Sequence, residues 1–326
     1  MKKLISILLV FVLLLSFAAC GEKAEEVNVK DVKANVFGIA GPTGIGLANL
    51  MKTAEDGKGS LAYNIQLAAS NDQIVAKITN KEADIAAVAT NLASTLYNKT
   101  QGGVQVLAIN TLGVLNVVTK GVEVPTIAAL KGKTVYSTGQ GANPEYILKN
   151  VLENNGLKMG EDVKVEFVSQ PQELVAKVVA NKEAVVIAPQ PVATAITVKD
   201  KTAKIVINLN DEWDKFNDTK LVMGCIIARK EYVEQNPEAV EAFLADYKAS
   251  IAAVSEDIDG TAALCEKYGI ITPAPVAKKA IPYCNIVFED GKDLKTDLSA
   301  YLDFLFKANP KSIGGKLPAD DFYYGK

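Results

Sequence analysis

Two glycine-bearing turns are the segments best suited to chemistry, and the chemistry they suit is capture. Gly41-Pro42-Thr43-Gly44 and Gly139-Gln140-Gly141-Ala142 each follow a short apolar strand and precede an amphipathic stretch. Such a turn presents backbone N–H groups at a helix start, where the partial positive charge favours an anionic or strongly polar ligand group. Neither turn is a nucleotide loop. The third glycine position of a dinucleotide fingerprint holds Pro144, and Gly41 to Gly46 lacks the lysine and hydroxyl residue of a phosphate loop. The plainer reading of each is a tight turn that only glycine makes easily.

Further polar candidates follow the same pairing. Ala89-Thr90-Asn91 and Ala188-Pro189-Gln190-Pro191 come after matching apolar strands, so Thr90, Asn91 and Gln190 should emerge at equivalent rims as ligand donors. Thr90 and Asn91 would serve equally as helix caps, a role less suited to Gln190 between prolines. Asn71 and Gln170 open an equivalent pair of helices, where Asn71 either caps the helix or reaches the ligand. Trp213, the only tryptophan, either stacks on a ligand or packs a crossing between lobes.

Catalysis has little to work with. The chain has no histidine, so the commonest general base and the commonest transition-metal ligand are missing. Arg229 is the only arginine and sits in Ala228-Arg229-Lys230-Glu231, a polar strand-to-helix junction, which excludes a cleft clamped by several arginines. No Gly-x-Ser-x-Gly, Ser-x-x-Lys or two-cysteine redox motif occurs, and no acid pair stands out from the solvated carboxylates. Cys225, Cys265 and Cys284 fit no zinc spacing; they are buried thiols, or Cys265 and Cys284 form a bridge. No catalytic residue, metal site or cofactor is expected. A net charge of −3 without a basic cluster gives no footprint for nucleic acid.

An internal repeat positions the two turns. Val75-Ala76-Lys77-Ile78 and Asn80-Lys81-Glu82-Ala83 recur about one hundred residues later as Val175-Ala176-Lys177-Val178 and Asn181-Lys182-Glu183-Ala184, each followed by an apolar run. Each copy reads strand, glycine turn, helix, strand, helix, strand. The first has strands at Val36 to Ala40, Asn64 to Leu67 and Asp84 to Ala89; the second has strands at Thr134 to Tyr136, Val163 to Phe167 and Val185 to Ala188. The runs are too continuously apolar for an exposed sheet, so strands covered on both faces are expected. This predicts an α/β fold of two similar α/β lobes joined by two hinge crossings, near Asn110 to Gly113 and Asn210 to Leu221, with ligand held between them. Helical stripes at Val240, Phe243, Leu244, Tyr247 and Ile251, after Asn236-Pro237, and at Leu298, Tyr301, Leu302 and Leu305 read as scaffold.

The first residues carry Lys2 and Lys3, an apolar stretch from Leu4 to Phe17, and Ala18-Ala19-Cys20, the parts of an export signal. The stretch falls short of the roughly 18 residues that span a bilayer. Phe17-Ala18-Ala19-Cys20 resembles the lipobox of bacterial lipoprotein signals, which would make Cys20 the lipidation site and the chain extracytoplasmic and anchored to the cell membrane. The expected division is 1–20 signal peptide, 21–33 flexible tether, 34–111 and 212–326 lobe I, and 112–211 lobe II.

From about Ala34 to Lys326 the chain resembles the substrate-binding proteins of bacterial ABC importers, in the branch of nitrate, sulfonate and thiamine-precursor binders. The residues that carry the resemblance are Gly41-Pro42-Thr43-Gly44, Leu130-Lys131-Gly132-Lys133-Thr134-Val135 before Gly139-Gln140-Gly141, Ala188-Pro189-Gln190-Pro191, and Arg229-Lys230-Glu231-Tyr232 leading to Asn236-Pro237-Glu238-Ala239-Val240. The resemblance implies a type II periplasmic-binding fold, a monomer that captures a small-molecule ligand by lobe closure, and a permease and ATPase as partners. It also implies ligand contacts from Pro42, Thr43, Gly44, Thr90, Asn91, Thr138, Gly139, Gln140, Gly141, Gln190, Met223 and Gly224. The chain lacks the cleft arginine or histidine that some relatives turn on anions, so a neutral or aromatic solute suits it as well as a sulfonate or nitrate. An enzyme of the small-molecule lyase type on the same fold, and a ligand-sensing surface receptor, are the rival readings.

Overall fold

The computed structural model describes residues 28–325. The export signal, Cys20 and most of the expected tether therefore lie outside the described residues. Asn28 to Val32 do not behave as a tether. They carry a 3-10 turn, and Val29 and Val32 pack against the core beside Tyr232 and Val240.

Eleven strands are found among the described residues: β1 (Lys33–Ile39), β2 (Ala62–Ala68), β3 (Ile85–Ala89), β4 (Val104–Thr111), β5 (Leu115–Lys120), β6 (Thr134–Ser137), β7 (Lys164–Phe167), β8 (Ala184–Pro189), β9 (Lys204–Asn208), β10 (Gly224–Arg229) and β11 (Ile286–Glu289). They form two sheets, ordered β11-β4-β10-β3-β1-β2 and β7-β6-β8-β5-β9. The repeat is visible in this order. The three parallel strands of each copy assemble as β2-β1-β3 and as β7-β6-β8, the second strand outermost and the third innermost.

The fourth strand of each set comes from the other half of the chain. β5 follows β4 across the short link Leu112 to Val114 and pairs antiparallel with β8 and β9. β10 returns from the second half and pairs antiparallel with β3 and β4. Each sheet is thus completed by a strand delivered through a crossing.

Helices cover both faces, which is why β3 and β8 are apolar throughout; only the last residue of each is not buried. In the repeated helices Asn71–Thr79 and Pro171–Ala180, Ile74 with Ile78 and Leu174 with Val178 are the buried pairs, four residues apart on one face. Lysine at the same repeat position covers an aromatic ring in the equivalent first strand. Lys77 lies 5.5 Å from the Phe37 ring centre and Lys177 lies 4.6 Å from that of Tyr136.

The return crossing is pinned by aromatic packing. Helix Leu209–Asp214 lies on β5 and β9. Trp213 is fully buried and meets Tyr301 and Phe304 of helix Gly291–Ala308 edge to face, with centroids 6.4 and 4.7 Å apart. It packs the crossing. Its indole N–H donates to the Thr219 carbonyl.

Helix Pro237–Glu256 begins at Pro237, but Asn236 gives no side-chain cap; its amide donates to the Tyr232 carbonyl instead. Beyond it an unexpected helical pair, Ile258–Lys267 and Ala274–Ala280, packs on helix Ala48–Glu55 and reaches helix Val192–Lys199 of the second sheet. Cys265 and Cys284 are buried free thiols within this cluster, so the bridge considered between them is not formed. No helix among the described residues is long and apolar enough to cross a membrane.

Candidate ligand-binding cleft

A cavity of about 500 Å³ lies between the two sheets, walled by residues from both and from both crossings. Ala40 to Thr43 contribute the turn after β1. Thr111 and Val114 come from the first crossing, Met223 from the second. The second lobe supplies Pro171, Gln172 and Val175 from one helix and Pro189 to Ala195 from the end of β8 onward. Gly269 to Thr272 and Val276, in the added helical pair, form the remaining wall.

Of the residues singled out from sequence, Pro42, Thr43, Gln190 and Met223 line this cavity. Gly44 and Gly224 lie behind the wall. A Cβ on Gly44 would fall 2.4 Å from the Ile39 carbonyl oxygen, and one on Gly224 would fall 2.4 Å from the Thr43 methyl and 2.7 Å from Asn110 Oδ1. Both glycines permit close approach of chain segments around Thr43, so they shape the wall without touching its contents.

The others are placed elsewhere. Thr90 is fully buried and its hydroxyl donates to the Val222 carbonyl at 2.7 Å, tying β3 to the return crossing. Asn91 is the second residue of helix Thr90–Lys99 and does not reach the cavity. Asn71 is exposed, and the cap of its helix is Ser70, whose oxygen accepts from the Gln73 N–H at 3.3 Å. Thr138, Gly139, Gln140 and Gly141 also lie off the cavity. Gly139 and Gly141 hold φ of 76° and 74°, so that turn does need glycine, but for its conformation. The Gly141 N–H is bonded to the Glu145 carboxylate at 2.6 Å.

Gln190 is the best-defined polar group in the wall. It is 1% exposed, and its Oε1 accepts from the Thr194 N–H at 3.3 Å and hydroxyl at 2.7 Å. The Thr194 N–H can only donate, so the amide oxygen must face it and Nε2 is left as a donor. Among the described residues no acceptor holds that Nε2.

A buried network fixes Thr43. Asn110, 1% exposed at the end of β4, donates through Nδ2 to the Thr43 carbonyl at 3.1 Å and the Tyr247 hydroxyl at 3.0 Å, and accepts from the Thr111 hydroxyl at 3.0 Å. Burial pushes the Tyr247 hydroxyl far above the ordinary tyrosine range, against a smaller pull from the Asn110 amide, so it stays neutral. Arg229 is a structural residue. Its guanidinium bonds the Ala83 carbonyl at 3.0 Å, Asp84 at 2.7 Å and Glu231 at 3.0 Å.

Sequence reading missed Thr111, Val114, Gln172, Val175 and the Gly269 to Val276 wall. Ile270 and Ile271 are 2% and 4% exposed and read as ordinary core residues. Only their placement against Gly41, whose N–H donates to the Ile270 carbonyl at 2.9 Å, makes them a wall. Among the described residues no group of three or more histidine, cysteine, aspartate or glutamate side chains could hold a metal ion.

The exchanged strands and the inter-sheet cavity match the fold of periplasmic binding proteins of ABC importers. The fold is similar to an ABC transporter protein from Parabacteroides distasonis, with a TM-score of 0.77 and 21% identity over 90% of this chain and 99% of that one. It is also similar to the periplasmic aliphatic sulphonate binding protein SsuA from Escherichia coli, with a TM-score of 0.70 and 16% identity over 87% and 90% of the two chains. The periplasmic nitrate-binding protein NrtA from Synechocystis matches with a TM-score of 0.61 and 15% identity over 87% and 84%. Residues 61–259 match the model of the NMT1/THI5 like family, and the chain belongs to that family. No curated protein matches the sequence.

Proposed function

We propose that this chain is the extracytoplasmic solute-binding component of an ABC importer, which closes two lobes on a small organic solute and delivers it to a permease driven by an ATPase. The observation that carries this reading is the cavity itself, walled by both sheets and by both crossings, so that rotation about the crossings would open or shut it. Lobe I would comprise the sheet containing β1 to β4, β10 and β11, and lobe II the sheet containing β5 to β9. Lipidation of Cys20 would hold the receptor at the membrane, as the lipobox-like Phe17-Ala18-Ala19-Cys20 supports. A single folded chain would act as a monomer. Native mass spectrometry of the mature protein without Cys20 tests the reading: a small-molecule adduct lost on denaturation is expected. A protein that carries no adduct and binds nothing in a broad solute screen would sink it.

A further inference from the structure

We propose that the cleft takes an uncharged, compact and mainly aliphatic solute and turns away the sulfonate and nitrate ions named for its structural neighbours; this rests on the capture function proposed above. Holding either ion requires a cationic side chain or several convergent N–H donors. The cleft has no cationic side chain. No side chain that lines it is charged, and Arg229 is committed to Ala83, Asp84 and Glu231.

Many of its N–H donors are already engaged. At the first glycine turn the Gly41 N–H bonds the Ile270 carbonyl, Pro42 has none, and the Gly44 N–H bonds the Gly41 carbonyl, which leaves Thr43 alone among the described residues. In the second lobe the Thr194 N–H bonds Gln190 Oε1, and the Gln170 N–H bonds Glu173 Oε1 at 2.8 Å. Glu173 stands in the first turn of the helix whose Pro171 and Gln172 line the cavity. Glu173 thus puts negative charge at the start of a helix that borders the cavity, where it would repel an anion.

What the cleft offers a solute is uncharged: the Gln190 Nε2 donor, the Thr43 N–H and hydroxyl, the Gln172 amide, the Thr272 hydroxyl and the Val192 N–H, set in a wall of Val175, Val192, Ala195, Met223, Ile270 and Val276. No aromatic ring lines the cavity, so it offers no stacking platform. An aliphatic body with an uncharged hydrogen-bond acceptor, such as an amide or alcohol, matches both parts.

The test is calorimetric titration of the mature protein with probes of one chain length, hexanamide and hexanol against hexanoate, hexanesulfonate and nitrate. Hexanamide should bind at least about tenfold more tightly than hexanesulfonate, and Gln190→Leu should weaken hexanamide by about tenfold, the worth of one buried hydrogen bond. Equal or tighter binding of the sulfonate or nitrate overturns the inference and leaves the capture function standing. If no probe binds but native mass spectrometry finds a co-purified solute, the charge of the released molecule decides in the same way. Absence of any bound solute, in the titrations and in the native spectrum, overturns both.

Discussion

Asn110 should link the stability of this protein to its affinity, and Asn110→Ala tests the link. The side chain makes three hydrogen bonds, a part-buried one to the Thr43 carbonyl and buried ones with the Tyr247 and Thr111 hydroxyls, at 3.1, 3.0 and 3.0 Å. A neutral hydrogen bond contributes a net ~0.5–1.5 kcal/mol, and a buried partner left unsatisfied adds a desolvation penalty of its own. The expected loss is therefore about 2–4 kcal/mol, since Thr43 borders the cavity and regains some solvent contact. Solute affinity should fall as well, because the freed Thr43 carbonyl no longer holds its part of the wall. Tyr247→Phe removes only one of the three bonds, so it should cost about 1 kcal/mol and leave affinity near wild type. Asn110→Asp keeps the shape but sets a carboxylate in a buried site, where its native pKa is raised. The native state then binds the proton more tightly than the unfolded state, so the deficit against wild type should be smallest at acid pH and grow as pH rises through the carboxylate range. Urea unfolding followed by Trp213 fluorescence gives the stabilities, and calorimetry with the co-purified solute gives the affinities. An Asn110→Ala protein within about 0.5 kcal/mol of wild type, with unchanged affinity, refutes the reasoning.

Three further outcomes are expected. Gly224→Ala places a Cβ against the Thr43 methyl and Asn110 Oδ1, so it should cost about 1–3 kcal/mol by overpacking and weaken solute binding through displacement of Thr43, measured by urea unfolding and titration. Trp213→Ala empties a fully buried site and should cost about 3–5 kcal/mol by circular dichroism, with little effect on affinity because the ring does not line the cavity. Asp200 is held well below the usual carboxylate range first by its hydrogen bond from Lys120, 2.8 Å away, and then by Thr202. A depressed native pKa contributes stability above the ordinary aspartate pKa and loses it as pH falls toward the native value. The difference in Tm between wild type and Asp200→Asn should therefore shrink on acidification below about pH 4, and a difference that widens there would contradict the ion pair's role.

Family membership and fold do not by themselves choose the solute. The neighbours named for sulfonate and nitrate share 16% and 15% identity with this chain, and likeness at that level transmits backbone topology without the chemistry of the cleft. In this cleft Glu173 takes the Gln170 N–H at the start of a helix that lines the cavity, and Gln190 is turned by Thr194 to offer a donor.

Much of the architecture was legible in the sequence because it rests on local periodicity stated twice. Period-four apolar pairs, Ile74 with Ile78 and Leu174 with Val178, set the buried faces of equivalent helices, and the uninterrupted runs at β3 and β8 announced strands covered on both sides. The two-sheet α/β architecture follows from such patterns. The cleft does not. The glycine turns at Gly41 and Gly139 are equivalent in sequence, yet only the first borders the cavity, because the second lobe brings Pro171 to Val175 and Pro189 to Ala195 to that wall instead. Ile270, Ile271 and Val276 look like any core residues, and only the docking of the helical pair against Gly41 and helix Val192–Lys199 turns them into a wall. Hydrophobic spacing reports which side of a helix is buried but not what it is buried against, and that second choice is made by long-range packing of segments far apart in the chain.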